Sequence, residues 1–174
     1  MASSTLIPVS EYLSANYRPD RDYIDGEIRE RNLGEQPHAH LQAIFASIFR
    51  EHRKSWSVRA LTEQRIQISS RRYRIADVCI LRSTDPQEPI IRVPPLLCIE
   101  ILSKGDSLSE SQERVDDYAS MGVQHMWAID PWKRHGYVAS SRGFEQPQDG
   151  ILTIPNTPIS ITLADIFAEL DEVS

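Results

Sequence analysis

The sequence predicts an α/β or α+β fold in which a central mixed β-sheet is flanked by helices. Three patterns predict it: apolar residues at helical spacing between 41 and 49, a change to period two after Trp56, and two apolar runs separated by a capped helical segment. The chain has 174 residues, of which 40% are hydrophobic and 25% charged, as in ordinary globular proteins. This length predicts one domain, residues 1–174.

The N-terminal elements follow from local signals. Ser10 is expected to cap a short helix over residues 11–16. Asp25-Gly26 is a tight-turn signal between two short strands. Pro37 suits the first position of a helix, which runs to about Lys54 and is amphipathic. Its apolar positions recur at i, i+3, i+4, i+7 and i+8: Leu41, Ile44, Phe45, Ile48 and Phe49.

The remaining elements alternate strands with helices. Alternation at residues 65–68 predicts a strand, and a turn then leads into a second strand at 73–81. The run at 96–103 is apolar on both faces and is therefore expected to be central in the sheet. A capping box beginning at Ser107 starts a helix, and Gly122 ends it before a strand at 123–129, as in a βαβ crossover. A hairpin-like region around Tyr137 and 151–154 and a final helix, capped by Thr162, complete the chain.

Bulk properties exclude several classes of protein. No apolar run is long enough to cross a membrane, and the N-terminus lacks a basic region followed by an apolar core, so a cytoplasmic protein is expected. The net charge of −6 means that any nucleic acid must meet a local basic patch. Cys79 and Cys98 lie inside apolar runs and are expected to be buried and reduced.

Two acids interrupt the apolar runs. Asp77 lies within 73–81 and Glu100 within 96–102, where a buried carboxylate is costly unless it meets a cation. Side chains opposite one another in an antiparallel pair lie about 5 Å apart, so the two acids could share Mg²⁺ or Mn²⁺. In the alternative interpretation, one acid pairs with an arginine such as Arg74 and the other lies at an exposed strand end.

The order of these features resembles the PD-(D/E)XK nuclease core. More specifically, the chain from about residue 9 to the C-terminus is similar to the Uma-type putative restriction endonuclease family. The segments that carry the resemblance are YIDGE (23–27), YRIADV (73–78), PLLCIEILS (95–103), DYASMGV (117–123) and WAIDP (127–131). The resemblance implies a metal-dependent nuclease fold, with Asp77 and Glu100 as metal ligands and Glu27 as an assisting acid.

The sequence departs from the superfamily pattern at two positions. Ala76 stands where a proline is usual before the aspartate, which affects only the entry to the strand. Leu102 stands where the superfamily has a lysine two residues after the glutamate. The cation that this lysine would supply must therefore come from elsewhere.

Two residues are candidates for that cation. Lys104 would share a face with Glu100 if the strand continued, although Ser103 and Gly105 disfavour continuation. Arg114 lies four residues before Tyr118 on one helical face, where many relatives have a lysine. An arginine can stabilise the charge of a transition state but cannot deprotonate water at ordinary pH.

Other polar residues give weaker signals. His38 and His40 are two residues apart and do not face each other on a helix. His40, four residues before Ile44, is the candidate accessory residue pointing towards the acidic pocket, with a histidine at the edge of the core as the alternative. A hairpin cluster of arginines is the candidate phosphate-binding site, with a solvated hairpin as the alternative: Arg71, Arg72 and Arg74.

The sequence thus supports two hypotheses. The first is a divalent-metal-dependent endonuclease acting on DNA, for which two-strand cleavage would favour a homodimer. The second is a nuclease-fold module that is catalytically weak or inactive and binds nucleic acid or a protein partner, which Leu102 and the acidic net charge motivate. A sugar hydrolase using Asp77 and Glu100 has no aromatic platform to support it.

Overall fold

An eight-stranded mixed sheet with helices on both faces forms the centre of the computed structural model, which describes residues 6–32 and 35–172. Residues 1–5, whose composition was considered above, lie outside the described residues. The helices are α1 (Val9–Ser14), α2 (Gln36–Glu51), α3 (Leu108–Met121) and α4 (Leu163–Asp171). The strands are β1 (Asp22–Ile24), β2 (Glu27–Arg29), β3 (Val58–Ser69), β4 (Arg72–Arg82), β5 (Leu97–Ile101), β6 (Met126–Asp130), β7 (His135–Ser140), β8 (Gly143–Glu145), β9 (Ile151–Thr153) and β10 (Ser160–Thr162).

The strand order confirms the predicted mixed sheet. It runs β2-β1-β4-β5-β6-β7-β8, with β3 paired to β4, and β9 and β10 form a separate two-stranded sheet. β5 and β6 are parallel and are joined through α3, whereas the other pairs are antiparallel. β5 therefore lies in the interior of the sheet, as its apolar character on both faces predicts.

Alternation along the central strands divides the core between the two faces of the sheet. Val78 and Ile99 pack with the apolar stripe of α2 and with α4, in a cluster that includes Phe45 and Trp127. Cys79 and Cys98 lie opposite each other in the register and pack with α3 on the other face. Both are free thiols and buried, as predicted.

The signals at the ends of α3 are confirmed. The Ser107 side chain accepts from the Glu110 amide at 3.2 Å, and the Glu110 carboxylate accepts from the Ser107 amide at 3.2 Å. Gly122 ends the helix with φ 103°, a left-handed conformation that glycine adopts without steric cost. This helix is the element that carries Arg114 and Tyr118 to the sheet.

The expected boundaries of two helices differ from those in the structure. α1 begins at Val9 rather than after Ser10, because the carbonyl of Pro8 accepts from the amides of Glu11 and Tyr12. α2 ends at Glu51, short of Lys54. Thr162 does begin α4, but no side-chain cap hydrogen bond forms there within the described residues. None of the helices in residues 6–32 and 35–172 is long and apolar enough to cross a membrane.

Candidate active site

Asp77 and Glu100 face each other across β4 and β5. The register pairs Val78 with Ile99, so one residue further along it places Asp77 opposite Glu100. Both line a cleft of roughly 140 Å³, which lies between β2, β5, α2 and α3. Its rim carries polar side chains such as Asn32 and Asp106, both exposed to solvent. The two acids of the sequence prediction therefore meet in one cleft.

Asp77 is buried, and both of its carboxylate oxygens have polar partners. Its Oδ2 accepts from the Ile101 amide at 2.7 Å and lies 3.3 Å from Nε2 of His38, while Oδ1 accepts from the Arg31 guanidinium. Burial alone would raise the pKa of Asp77, but the hydrogen bond of His38 and the charge of Arg31 outweigh it and lower the pKa below its ordinary value. Asp77 is therefore a carboxylate at neutral pH.

The pKa of Glu100 is shifted in the opposite direction to that of Asp77. Arg114 Nε donates to its Oε2 at 2.9 Å and the Tyr118 hydroxyl donates to its Oε1 at 2.6 Å. Burial nevertheless raises the pKa of Glu100 to about 7: the charge of Arg114 opposes the rise, and that of Asp77 adds to it. The two opposed acids therefore differ in pKa, and Glu100 exchanges its proton near neutrality.

Asp22 is another buried acid in the cleft, which the sequence interpretation did not single out. Its carboxylate accepts from the Ile75 amide at 2.8 Å, from Arg74 Nη1 at 3.0 Å and from Arg114. Arg114 thus bridges Asp22 and Glu100, and it also donates to the Ile75 carbonyl at 2.5 Å. Because a lone buried charge is costly, this arginine holds β1, β4, β5 and α3 together around the cleft.

The two candidate cations occupy different places. β5 ends at Ile101, so Lys104 lies in the following loop, where its Nζ stacks 4.3 Å from the centre of the Trp132 ring. It is not among the described residues that line the cleft. Arg114 does line the cleft, but it is directed at protein acceptors. The basic residue that the sequence interpretation missed is Arg31, whose guanidinium bridges Asp77 and Glu63.

The two accessory candidates lie away from the predicted positions. Glu27 lies in β2, with Oε2 3.9 Å from Arg29 Nε, and among the described residues it is Asp22 rather than Glu27 that lines the cleft. The helix presents His38, and not His40, to Asp77. His38 lies three and seven residues before Leu41 and Phe45, on the apolar stripe of α2, and this spacing is the signal that identifies it.

The arginines of the β3–β4 hairpin are largely internal. Arg74 is 3% exposed and pairs with Asp22 and Asp117. Arg72 contacts Asp117 as well, at 3.1 Å, and so ties β4 to α3. Arg71 is exposed, with Nε 3.9 Å from Asp25. Of the three residues predicted to contact phosphate, Arg71 alone extends into solvent.

The donors of the cleft fit a hard divalent ion. Asp77 and Glu100 supply carboxylate oxygens, and Mg²⁺ commonly binds one or two carboxylates while it keeps several waters. Within the described residues no group of three or more His, Cys, Asp or Glu side chains surrounds a metal-sized site, so water and substrate would complete the coordination. Arg31 occupies Oδ1 of Asp77 and would have to leave that oxygen before an ion could bind it.

A solved structure shares the fold of this chain. It is the crystal structure of a "putative nuclease belonging to DUF820" from Anabaena variabilis ATCC 29413, with a TM-score of 0.82 and 21% sequence identity over 94% of this chain and 99% of that one. At that identity the likeness establishes the fold alone. The cryo-EM structure of a DrdV–DNA complex gives a TM-score of 0.41 and 13% identity over 76% of this chain and 11% of that one, which carries no argument.

The family comparison covers most of the chain. The model of the family Uma2, described as "Putative restriction endonuclease", matches residues 9–163, and this confirms the resemblance carried by the sequence segments. No curated protein matches the chain. From the extent of the family match, this protein belongs to the Uma2 family of "Putative restriction endonuclease" proteins.

Proposed function

We propose that this protein is a divalent-metal-dependent endonuclease that hydrolyses phosphodiester bonds of DNA, with Mg²⁺ or Mn²⁺ as cofactor. The observation that carries the proposal is the opposed pair of carboxylates, Asp77 and Glu100, at the base of a polar cleft. Membership of the Uma2 family supports the nuclease class. An ion held by these residues would polarise the phosphodiester and lower the pKa of a bound water.

The protein's own residues would hold the two carboxylates in place. The Ile101 amide fixes Asp77 Oδ2, and Arg114 and Tyr118 each hold one oxygen of Glu100. Such outer contacts keep ligands close to their working geometry. The Glu100 carboxyl, with its pKa of about 7, would release a proton when it engages a cation.

Plasmid cleavage tests this function. Wild-type protein is expected to nick or linearise supercoiled DNA with Mg²⁺ or Mn²⁺ and to be inactive with EDTA, whereas Asp77→Ala is expected to be inactive throughout. Asp116→Ala is the matched control, because Asp116 is an exposed acid of α3 that accepts from Gln112 and lies outside the cleft. Nuclease activity that survived in purified Asp77→Ala would refute the assignment.

A second candidate is a nuclease-fold module without turnover that binds nucleic acid or a protein partner. It is favoured by Leu102 at the usual lysine position and by the described part of the cleft, whose lining includes no lysine. Arg31 and Arg114, the basic groups nearest the two acids, are both paired with carboxylates. Calorimetric titration with Mn²⁺, run beside the plasmid assay, separates the candidates: metal binding without cleavage selects the module.

Domain organisation, compartment and assembly also belong to the proposal. Residues 1–174 would act as one domain. The enzyme would work in the cytoplasm, which agrees with its two free, buried thiols. Cleavage of both strands of a duplex would be served by a twofold homodimer, and light scattering coupled to size exclusion measures whether the chain forms one.

A further inference from the structure

A second groove runs between α2 and the first half of β3. Its volume is about 650 Å³, and small side chains such as Ala43, Ala46 and Ala60 are among the residues that line it. Three arginines line it: Arg50, Arg53 and Arg59. None of the described residues that line this groove is acidic.

These arginines carry uncompensated charge. The Arg59 guanidinium donates to the carbonyls of Asp85 at 2.8 Å and Pro86 at 3.2 Å, and Arg53 donates to the Arg50 carbonyl at 3.0 Å. Carbonyl contacts orient a guanidinium but do not neutralise it. Within residues 6–32 and 35–172, none of the three lies within 4 Å of a carboxylate oxygen.

The groove arginines differ in ion pairing from most other arginines of the protein. Most other arginines of this acidic chain are ion-paired, including Arg72, Arg74 and Arg114 around the active-site cleft. The other basic residues without a carboxylate partner in the described chain are Arg18, Lys54, Lys104 and Arg142. Lys54 directly follows Arg53, so several positively charged side chains without a carboxylate partner among the described residues lie at the C-terminal end of α2.

The arginine groove lies close to Asp77 of the active-site cleft. Gln42 of α2 donates to the Asp77 carbonyl at 3.0 Å and to the Glu63 carboxylate at 2.5 Å. The next residue on α2, Ala43, and the residue before Glu63 on β3, Thr62, already line the groove. From Ala43 to Arg50 the helix rises about 10 Å, which matches about three nucleotides of a DNA strand at 3.4 Å each.

We infer that this groove binds the phosphate backbone of one strand of a DNA substrate as the strand leaves the active-site cleft. The inference rests on the function proposed above and adds the path of the strand to it. Charge complementarity favours a phosphate backbone as the ligand of the groove, because guanidinium groups with free N–H donors match phosphate oxygens in shape and charge. The site also differs in place from the hairpin arginines that the sequence suggested.

DNA binding measured without cleavage tests the inference. The probes are fluorescein-labelled single-stranded and duplex oligonucleotides, titrated with protein in EDTA and followed by anisotropy at several salt concentrations. Replacing Arg50, Arg53 and Arg59 by glutamine is expected to weaken binding roughly tenfold or more at moderate salt. The slope of log affinity against log salt should fall by roughly 0.7–0.9 for each phosphate that the variant no longer neutralises.

Two further variants make the comparison specific. Arg50→Gln/Arg53→Gln leaves Arg59 and its carbonyl contacts in place and is expected to reproduce most of the loss of affinity, since both replaced side chains are exposed. Arg142→Gln is the matched control and should bind as wild type, because Arg142 is an exposed arginine between β7 and β8 that has no carboxylate partner among the described residues.

The outcomes separate this inference from the nuclease function. Binding that depends on the groove in a protein that never cleaves supports the inference and refutes the nuclease. Unchanged affinity and salt slope in the folded double variant, or an equally weakened Arg142→Gln, would overturn the groove as the DNA path. Groove-dependent binding of poly-glutamate, without binding of DNA, would identify an acidic protein segment as the occupant and overturn it as well.

Discussion

When Glu100 is replaced by glutamine, the difference in free energy of unfolding between the variant and wild type should move in favour of the variant as the pH rises. In the folded state burial raises the pKa of Glu100 to about 7, against an ordinary value of 4.5. Between these two values the folded state holds a proton that the unfolded state has released. The stability linked to this proton is fully present below the unfolded pKa and is lost as the pH rises to the folded pKa.

The size of the effect follows from the two pKa values. Each pH unit between them is worth about 1.4 kcal/mol, so the wild type loses about 3 kcal/mol across the whole window. Between about pH 5.5 and about pH 8 the loss is about 2 kcal/mol. Glutamine cannot ionise and escapes this loss. For a chain of this length, 2 kcal/mol corresponds to roughly 4–8 °C in Tm.

The assay is urea unfolding of wild type and Glu100→Gln at both pH values, with EDTA present so that no ion binds the carboxylates. The difference between the two proteins should move in favour of the variant by about 2 kcal/mol from the lower to the higher pH. Burial lowers the pKa of His38, but the hydrogen bond and charge of Asp77 outweigh it and raise the pKa above its ordinary value. Because His38 is present in both proteins, its contribution largely cancels in the difference.

Glu110→Gln is the control. Glu110 is an exposed carboxylate of the capping box, and its hydrogen bonds from Ser107 lower its pKa. Its stabilising effect is present above the unfolded pKa and is lost only as the pH falls through the folded pKa, so the effect of Glu110→Gln should be nearly equal at the two pH values. A difference for Glu100→Gln that is independent of pH, or that favours wild type at high pH, would refute the reasoning about burial.

Two other changes test how the cleft is built. Arg114→Met should lower the free energy of unfolding by about 3–5 kcal/mol, because it leaves Asp22 and Glu100 with fewer partners in a buried site; urea unfolding at neutral pH measures this, and a loss below about 1 kcal/mol would contradict the bridging role. Ser107→Ala should cost about 1 kcal/mol by removing the capping box of α3; thermal unfolding followed by circular dichroism checks it, and an unchanged Tm would contradict the capping role.

Much of the fold can be predicted from the chain because its signals are local. The apolar spacing of α2, the Asp25-Gly26 turn and the capping box of α3 each act within a few residues, so their effect does not depend on distant parts of the chain. The expectation that Ser10 precedes the first helix was wrong, since the carbonyl of Pro8 already accepts the first helical hydrogen bonds and the helix begins at Val9. Differences of one or two residues arise where neighbouring residues can each begin a helix.

The candidate site was predictable in part. Asp77 and Glu100 could be identified because a charge inside an apolar run is unusual and costly. Asp22, Arg31 and His38 reach the same cleft from β1, from the segment after β2 and from α2. The spacing of His38 from the apolar residues of α2 places it on the face that packs on the sheet, but the convergence of all three residues on one cleft depends on strand order, which no local spacing determines.

By itself, then, the sequence determined the four helices, most of the strands, the central position of β5 and the two acids that face each other. Only the tertiary structure decided what each charged side chain meets. It directs Arg74 inward to Asp22, places Lys104 over Trp132, and leaves the arginines of the groove beside α2 without a carboxylate partner among the described residues. The physical reason is that secondary structure depends on neighbours along the chain, whereas ion pairing and burial depend on residues that only folding brings together.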